Sequence, residues 1–95
     1  MTALTAQEIQ SRMSHVPGWA LQDGSAIHKT FRFPSFAAAI RFVDKVAAIA
    51  DAADHHPDIL IRYDRVTLTL STHASGGLTA KDFAMAAQID GLVGG

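Results

Sequence analysis

Histidine is the side chain whose unperturbed pKa lies nearest neutrality, so a site holding several can both give and take a proton at physiological pH. Five stand in this sequence, and three of them, His55, His56 and His73, fall where a helix or a strand is expected to give way to a loop. Such borders are where a rigid scaffold presents functional groups. The trio therefore points to general acid–base chemistry. Each residue also has a plainer reading when taken alone. His55 could serve as a dipole partner at a helix C-terminus. His73 continues the polar side of a strand with Thr67, Thr69 and Ser71. Asp82, three residues after Thr79, is accounted for as a capping carboxylate. Pro57 stops a helix, and Tyr63 reads as a strand residue with its ring half buried. His15 and His28 are read as structural or surface residues.

Other chemistries fit less well. Three imidazoles are a plausible ligand set for a catalytic zinc, but there is no His-Glu-x-x-His pair and no cysteine. The adjacent His55 and His56 would need an irregular backbone to reach one ion, so no metal is expected. Serine lacks a nucleophile-elbow motif, and Gly76-Gly77-Leu78-Thr79-Ala80 has neither the lysine nor the spacing of a phosphate-binding loop. A formal net charge of −1 argues against a surface that holds nucleic acid by neutralising phosphates. No run approaches the roughly 18 to 20 apolar residues that cross a bilayer, and the N-terminus lacks a basic region followed by an apolar one. A soluble, cytoplasmic protein without membrane or direct nucleic-acid partners is expected.

The elements that must position these side chains follow from punctuation and periodicity. The 95 residues are read as one domain, 1–95, because 48% hydrophobic against 18% charged residues favours a compact globule too small to divide. Thr5 and Glu8 form a capping-box pattern ahead of Ile9 and Met13, predicting a helix from about Ala6 to His15 that Pro17 and Gly18 stop. Trp19, Leu21 and Asp23 alternate, and Ala26 to Phe33 alternates again with Ile27, Phe31 and Phe33 on one side. The two form a hairpin through Asp23, Gly24 and Ser25. Lys29 breaks the apolar side. Residues 36 to 53 then carry an apolar helical pattern with Arg41, Asp44, Lys45 and Asp51 on one stripe. Because His56 precedes Pro57, that helix ends at or before His55. Asp58 to Tyr63 and Val66 to Thr72 read as strands joined by a turn at Asp64 and Arg65. Gly76 and Gly77 make a flexible bend, and Thr79 with Asp82 caps a last helix reaching about Asp90, before Gly91 and a Gly94-Gly95 tail. The expected fold class is α+β: a two-layer sandwich, order α-β-β-α-β-β-α, with a four-stranded antiparallel sheet and three helices on one face.

Together these positions make a pattern that none shows singly: Asp51, three residues, His55-His56-Pro57, five residues, Tyr63, nine residues, His73, eight residues, Asp82. It resembles the signature of the pterin-4a-carbinolamine dehydratase family, and the segment from Thr72 through Asp82 is similar to that family's second conserved block. The resemblance implies dehydration of a 4a-hydroxytetrahydropterin to a quinonoid dihydropterin, recycling the pterin of aromatic amino acid hydroxylases. The pterin is the substrate, so no separate cofactor is expected. Catalytic roles carry over to His55, His56, His73 and Asp82, and substrate contacts to Asp54, His55, His56, Pro57, Ser71, Thr72 and His73. His55 and His73 are expected to share proton transfer while His56 positions the pterin. Ile59 departs from the pattern, standing where many relatives carry an aromatic ring. Association into a homodimer or homotetramer is expected too. Other roles known in such families are a non-catalytic dimerisation cofactor or scaffold for a partner protein, and service to molybdopterin metabolism.

Overall fold

The computed structural model describes residues 2–93; the Gly94-Gly95 tail lies outside them. Its first helix, α1 (Ala6–Met13), begins at a reciprocal cap. Glu8 N–H donates to the Thr5 hydroxyl at 3.2 Å, and Thr5 N–H donates to Glu8 Oε1 at 2.8 Å. The helix stops two residues short of the expected His15. Turns closed by His15 and Val16 N–H onto the carbonyls of Arg12 and Met13 take over. They bury Val16, whose place before Pro17 disfavours helical backbone in any case.

Strands β1 (Ala20–Gln22) and β2 (Ala26–Arg32) form the expected hairpin, with Gln22 opposite Ala26 and Asp23, Gly24 and Ser25 between them. Asp23 and Gly24 both take positive φ, and Ser25 N–H closes the turn on the Gln22 carbonyl. Helix α2 (Phe36–Ala53) starts where the Ser35 hydroxyl accepts Ala38 N–H at 3.1 Å. It buries Ala39, Phe42, Val46 and Ala50, three or four residues apart, as one helical face requires.

Strands β3 (Asp58–Arg62) and β4 (Arg65–Leu70) pair with Arg62 opposite Arg65, so the turn is Tyr63-Asp64, one residue earlier than expected. Tyr63 sits there at φ 56° and is 71% exposed, which corrects its reading as a half-buried strand residue. The cause is the hairpin itself, because a two-residue connection needs positive φ to match strand twist. Beyond β4, the bend expected at Gly76 and Gly77 is present and closed by backbone hydrogen bonds. Thr72 and Gly77 pair backbone to backbone at 3.0 and 3.3 Å around a 3-10 turn, His73–Ser75, with Gly76 at φ 75° where a Cβ would be strained. Helix α3 (Ala80–Leu92) then runs through Gly91, past the expected stop at Asp90, because Leu92 packs against the core.

All neighbouring strands are antiparallel, in the order β1-β2-β4-β3. Ile27, Phe31, Val66, Leu68 and Leu70 face the helices and are buried with Ile9, Phe42, Val46, Phe83 and Ile89. The opposite face is polar, and Thr30 and Thr67 bond across it at 2.7 Å. The architecture is the α+β sandwich expected, with three helices on one face of a four-stranded sheet. Lys29, the cation on the apolar side of β2, is accommodated by Asp90 of α3. That carboxylate takes the Lys29 ammonium at 2.9 Å and the Trp19 indole N–H at 3.1 Å, while the ammonium lies 4.9 Å from the Phe31 ring centre. No helix among the described residues is long and apolar enough to cross a membrane.

Candidate active site

Helix α2 ends in a left-handed residue, Asp54 (φ 50°, ψ 44°), a conformation aspartate tolerates better than most side chains. The N–H groups of Asp54 and His55 close back on the last turn, His55 onto the Ala50 carbonyl at 3.1 Å. The chain thus reverses and sends His55 under α3, where its side chain is 10% exposed. There His55 Nε2 meets Asp82 Oδ1 at 2.6 Å.

Asp82 carries two jobs on two oxygens. Its Oδ2 accepts Thr79 N–H at 2.9 Å, the capping contact that the spacing from Thr79 predicts, and also the Thr72 hydroxyl at 2.8 Å. Oδ1 is left for His55. The carboxylate is completely buried, and such a group is tolerable only when donors surround it. Thr79 is the member of this network that sequence reasoning assigned only to the cap. The capping-box spacing gave its position but not its neighbours.

His56 is arranged differently. Its Nε2 lies 2.9 Å from Asp51 Oδ1, one helical turn back, in the open. Asp51 belonged to the sequence pattern but not to the expected site, and its contact with His56 explains its place. Pro57, half buried, leads directly into β3. His73, exposed, opens the 3-10 turn one residue after Thr72, so the hydroxyl that shares Asp82 with His55 ties the two histidine-bearing segments together. A concavity of about 330 Å³ lies beside His73, bounded also by Asp58, Thr69 and Ser71. Ser71 is half buried and donates its hydroxyl to the Ser25 carbonyl at 2.8 Å, while Asp54 is exposed at the helix end. Ile59, in the edge strand, is 39% exposed. Among the described residues no group of three or more His, Asp or Glu is placed to hold a metal ion.

A buried carboxylate fixing one imidazole, with a second imidazole held by its own carboxylate and a third beside an open concavity, is equipment for moving protons. The family model for pterin 4 alpha carbinolamine dehydratase matches residues 2–92. The chain belongs to the pterin-4a-carbinolamine dehydratase family. This is a family of hydro-lyases. A relative from Roseiflexus castenholzii that carries the dehydratase name is 56% identical over 90 residues, spanning 95% of this chain and 96% of its own. A crystal structure from Brucella melitensis, described as a transcriptional coactivator/pterin dehydratase, superposes with a TM-score of 0.93 at 35% identity over 98% of this chain and all of its own. A solved pterin dehydratase-like protein, described as a RuBisCO assembly factor in the alpha-carboxysome, is similar at 29% identity with a TM-score of 0.71, covering 84% of this chain and 94% of its own. The dehydratase family's helix and strand order is thus the order found here.

Proposed function

We propose that the site dehydrates 4a-hydroxytetrahydropterin to quinonoid dihydropterin and water, and so returns the cofactor of a pterin-dependent aromatic hydroxylase to its recycling route. The reaction breaks the bond from carbon 4a to its hydroxyl oxygen. Nitrogen 5 gives up its proton to a base and forms a double bond to carbon 4a, while an acid protonates the departing oxygen, because water leaves far more readily than hydroxide. No electrons are exchanged with a second reactant. One base and one acid suffice, and His55 and His73 are the pair assigned to them. His56, steadied by Asp51, positions the pterin, with Asp54, Pro57 and Ser71 at the rim. The observation that carries this reading is the 2.6 Å contact of His55 with the buried Asp82, since a helix end needs no buried carboxylate to hold an imidazole.

The test is the decay of 4a-hydroxypterin absorbance with purified protein and no added metal. The protein is expected to accelerate it, and His55→Ala and His73→Ala are each expected to slow it by about 100-fold or more, the range of positioned acid–base groups. Equal decay with and without protein would overturn the proposal. Capture of a partner protein without pterin turnover would favour a role as dimerisation cofactor or scaffold instead.

Self-association belongs to the same proposal. Strand β3 lies at the sheet edge, and Ile59, Leu60 and Ile61 are exposed along it. An apolar edge with unpaired backbone groups is a template for a further strand, and a second copy of β3 supplies one.

A further inference from the structure

We propose that Thr72 and Thr79 are positioning residues that lock Asp82, and through it hold neutral His55 in the tautomer with its proton on Nε2, leaving Nδ1 as the nitrogen that exchanges protons with substrate. The inference deepens the dehydratase reading and rests on it for the identity of that substrate.

Every contact in this network must find its proton. A threonine hydroxyl has one to donate. That of Thr72 goes to Asp82 Oδ2 at 2.8 Å, because a carboxylate has none to offer in return. The hydroxyls of Thr72 and Thr79 also lie 2.8 Å apart, and with the Thr72 proton committed, Thr79 is the donor in that contact. Thr79 Oγ1 in turn accepts Lys81 N–H at 3.3 Å, which orients its remaining lone pairs toward the helix and its proton toward Thr72. Thr79 N–H fills the second site on Oδ2 at 2.9 Å. Every link is anchored to the start of α3 or to the Thr72–Gly77 pair, so the carboxylate plane is fixed from two sides.

Oδ1 is then left facing His55 Nε2 with no exposure of Asp82 to solvent. Were the proton on Nδ1, two acceptors would face each other at 2.6 Å inside the protein. An unmade buried hydrogen bond to a charged group is among the costlier local errors, so Nε2 carries the proton. The nitrogen left for the substrate is then Nδ1, on a side chain that keeps 10% of its surface exposed. The Thr72 hydroxyl is accordingly spent on Asp82 and not on the pterin, which separates its role from those of Ser71 and His73 on either side of it.

Nitrogen-15 NMR of the imidazoles, recorded where His55 is neutral, reads the tautomer without any turnover. In the wild-type protein His55 is expected to show a protonated, pyrrole-like Nε2 and an unprotonated, pyridine-like Nδ1. Thr72→Val removes the hydroxyl while keeping the shape. It is expected to average the two tautomers and to lower kcat by about tenfold, the effect of one hydrogen bond to a charged group, with KM little changed. Thr72→Ser, which restores the hydroxyl, is expected to recover both signals. Circular dichroism checks that each variant is folded. A wild-type His55 with its proton on Nδ1 overturns the proposal outright, even if Thr72→Val proves unable to fold. So does a folded Thr72→Val with wild-type nitrogen shifts and kcat. If the wild type shows the Nε2–H tautomer yet no dehydration, the lock stands and the dehydratase reading falls.

Discussion

The two histidine–aspartate pairs are similar in length and opposite in setting, which separates their contributions to stability from their contributions to chemistry. His55 and Asp82 are buried, whereas His56 and Asp51 keep 58% and 79% of their side chains exposed. Removing His55 leaves Asp82 Oδ1 without its donor inside the protein, so His55→Ala is expected to cost about 1–3 kcal/mol of stability. An exposed pair contributes little, and His56→Ala is expected to change stability by less than about 0.5 kcal/mol while raising KM for the pterin. Urea denaturation with steady-state kinetics checks both; a large loss of stability in His56→Ala would contradict the assignment. Position in the chain places both histidines at the exit of α2, because His56 precedes Pro57 after an apolar helix, but only their joint spacing with Asp51, Tyr63, His73 and Asp82 marks them as a site. What spacing could not show was the second oxygen of Asp82. The contact with Thr79 is local and has a sequence signature, but those with Thr72 and His55 span 10 and 27 residues and arise only when α2, α3 and β4 meet.

At the scale of elements, most features decided by short-range contacts are legible in the sequence. Both capping boxes, the Asp23-Gly24-Ser25 loop and the limits of α2 follow from residues within a few positions of one another. Two element ends are misplaced because distant packing sets them: α1 ends early because Val16 is drawn into the core, and α3 runs past Gly91 because Leu92 is held there. The β3–β4 turn, one residue from its expected place, is a local miss, since Tyr63 carries no turn signal of its own yet takes positive φ. The α1 cap also carries a pH dependence. Thr5 N–H, donating to the Glu8 carboxylate, holds that group below its ordinary value of 4.5, aided by the Thr5 side chain. A carboxyl whose pKa is lower folded than unfolded adds stability above the unfolded value and loses it as pH falls through the folded one. Wild type is therefore expected to exceed Glu8→Gln in denaturation midpoint at neutral pH, with the difference closing in acid. A gap that persisted unchanged at low pH would show that charge on Glu8 is not its source.

At the scale of the whole molecule, the two edges of the sheet differ in length and character. Both edge strands leave every residue exposed, but β1 is three residues long, whereas β3 is five long and carries Ile59, Leu60 and Ile61 in succession. Antiparallel pairing explains what that edge offers. In a two-residue hairpin the closing pair, Arg62 and Arg65, exchanges hydrogen bonds, so every second residue of β3 turns its backbone groups toward β4. Ile59 and Ile61 are the alternate residues, and their N–H and carbonyl groups point outward. A second β3 running the opposite way satisfies them when Ile59 of one copy lies opposite Ile61 of the other, and this register sets Leu60 opposite Leu60 at the two-fold axis. The pairing would carry one continuous eight-stranded sheet through both copies and cover apolar side chains on each face. Leu60, 55% exposed on the face away from the helices, is free to change without disturbing the core. Leu60→Lys would place two ammonium groups directly across the axis, where like charges repel. The variant is expected to remain folded and to fall to half the wild-type mass by light scattering at micromolar concentration. Unchanged mass would mean that copies meet elsewhere, and a monomeric wild type would remove the interface altogether.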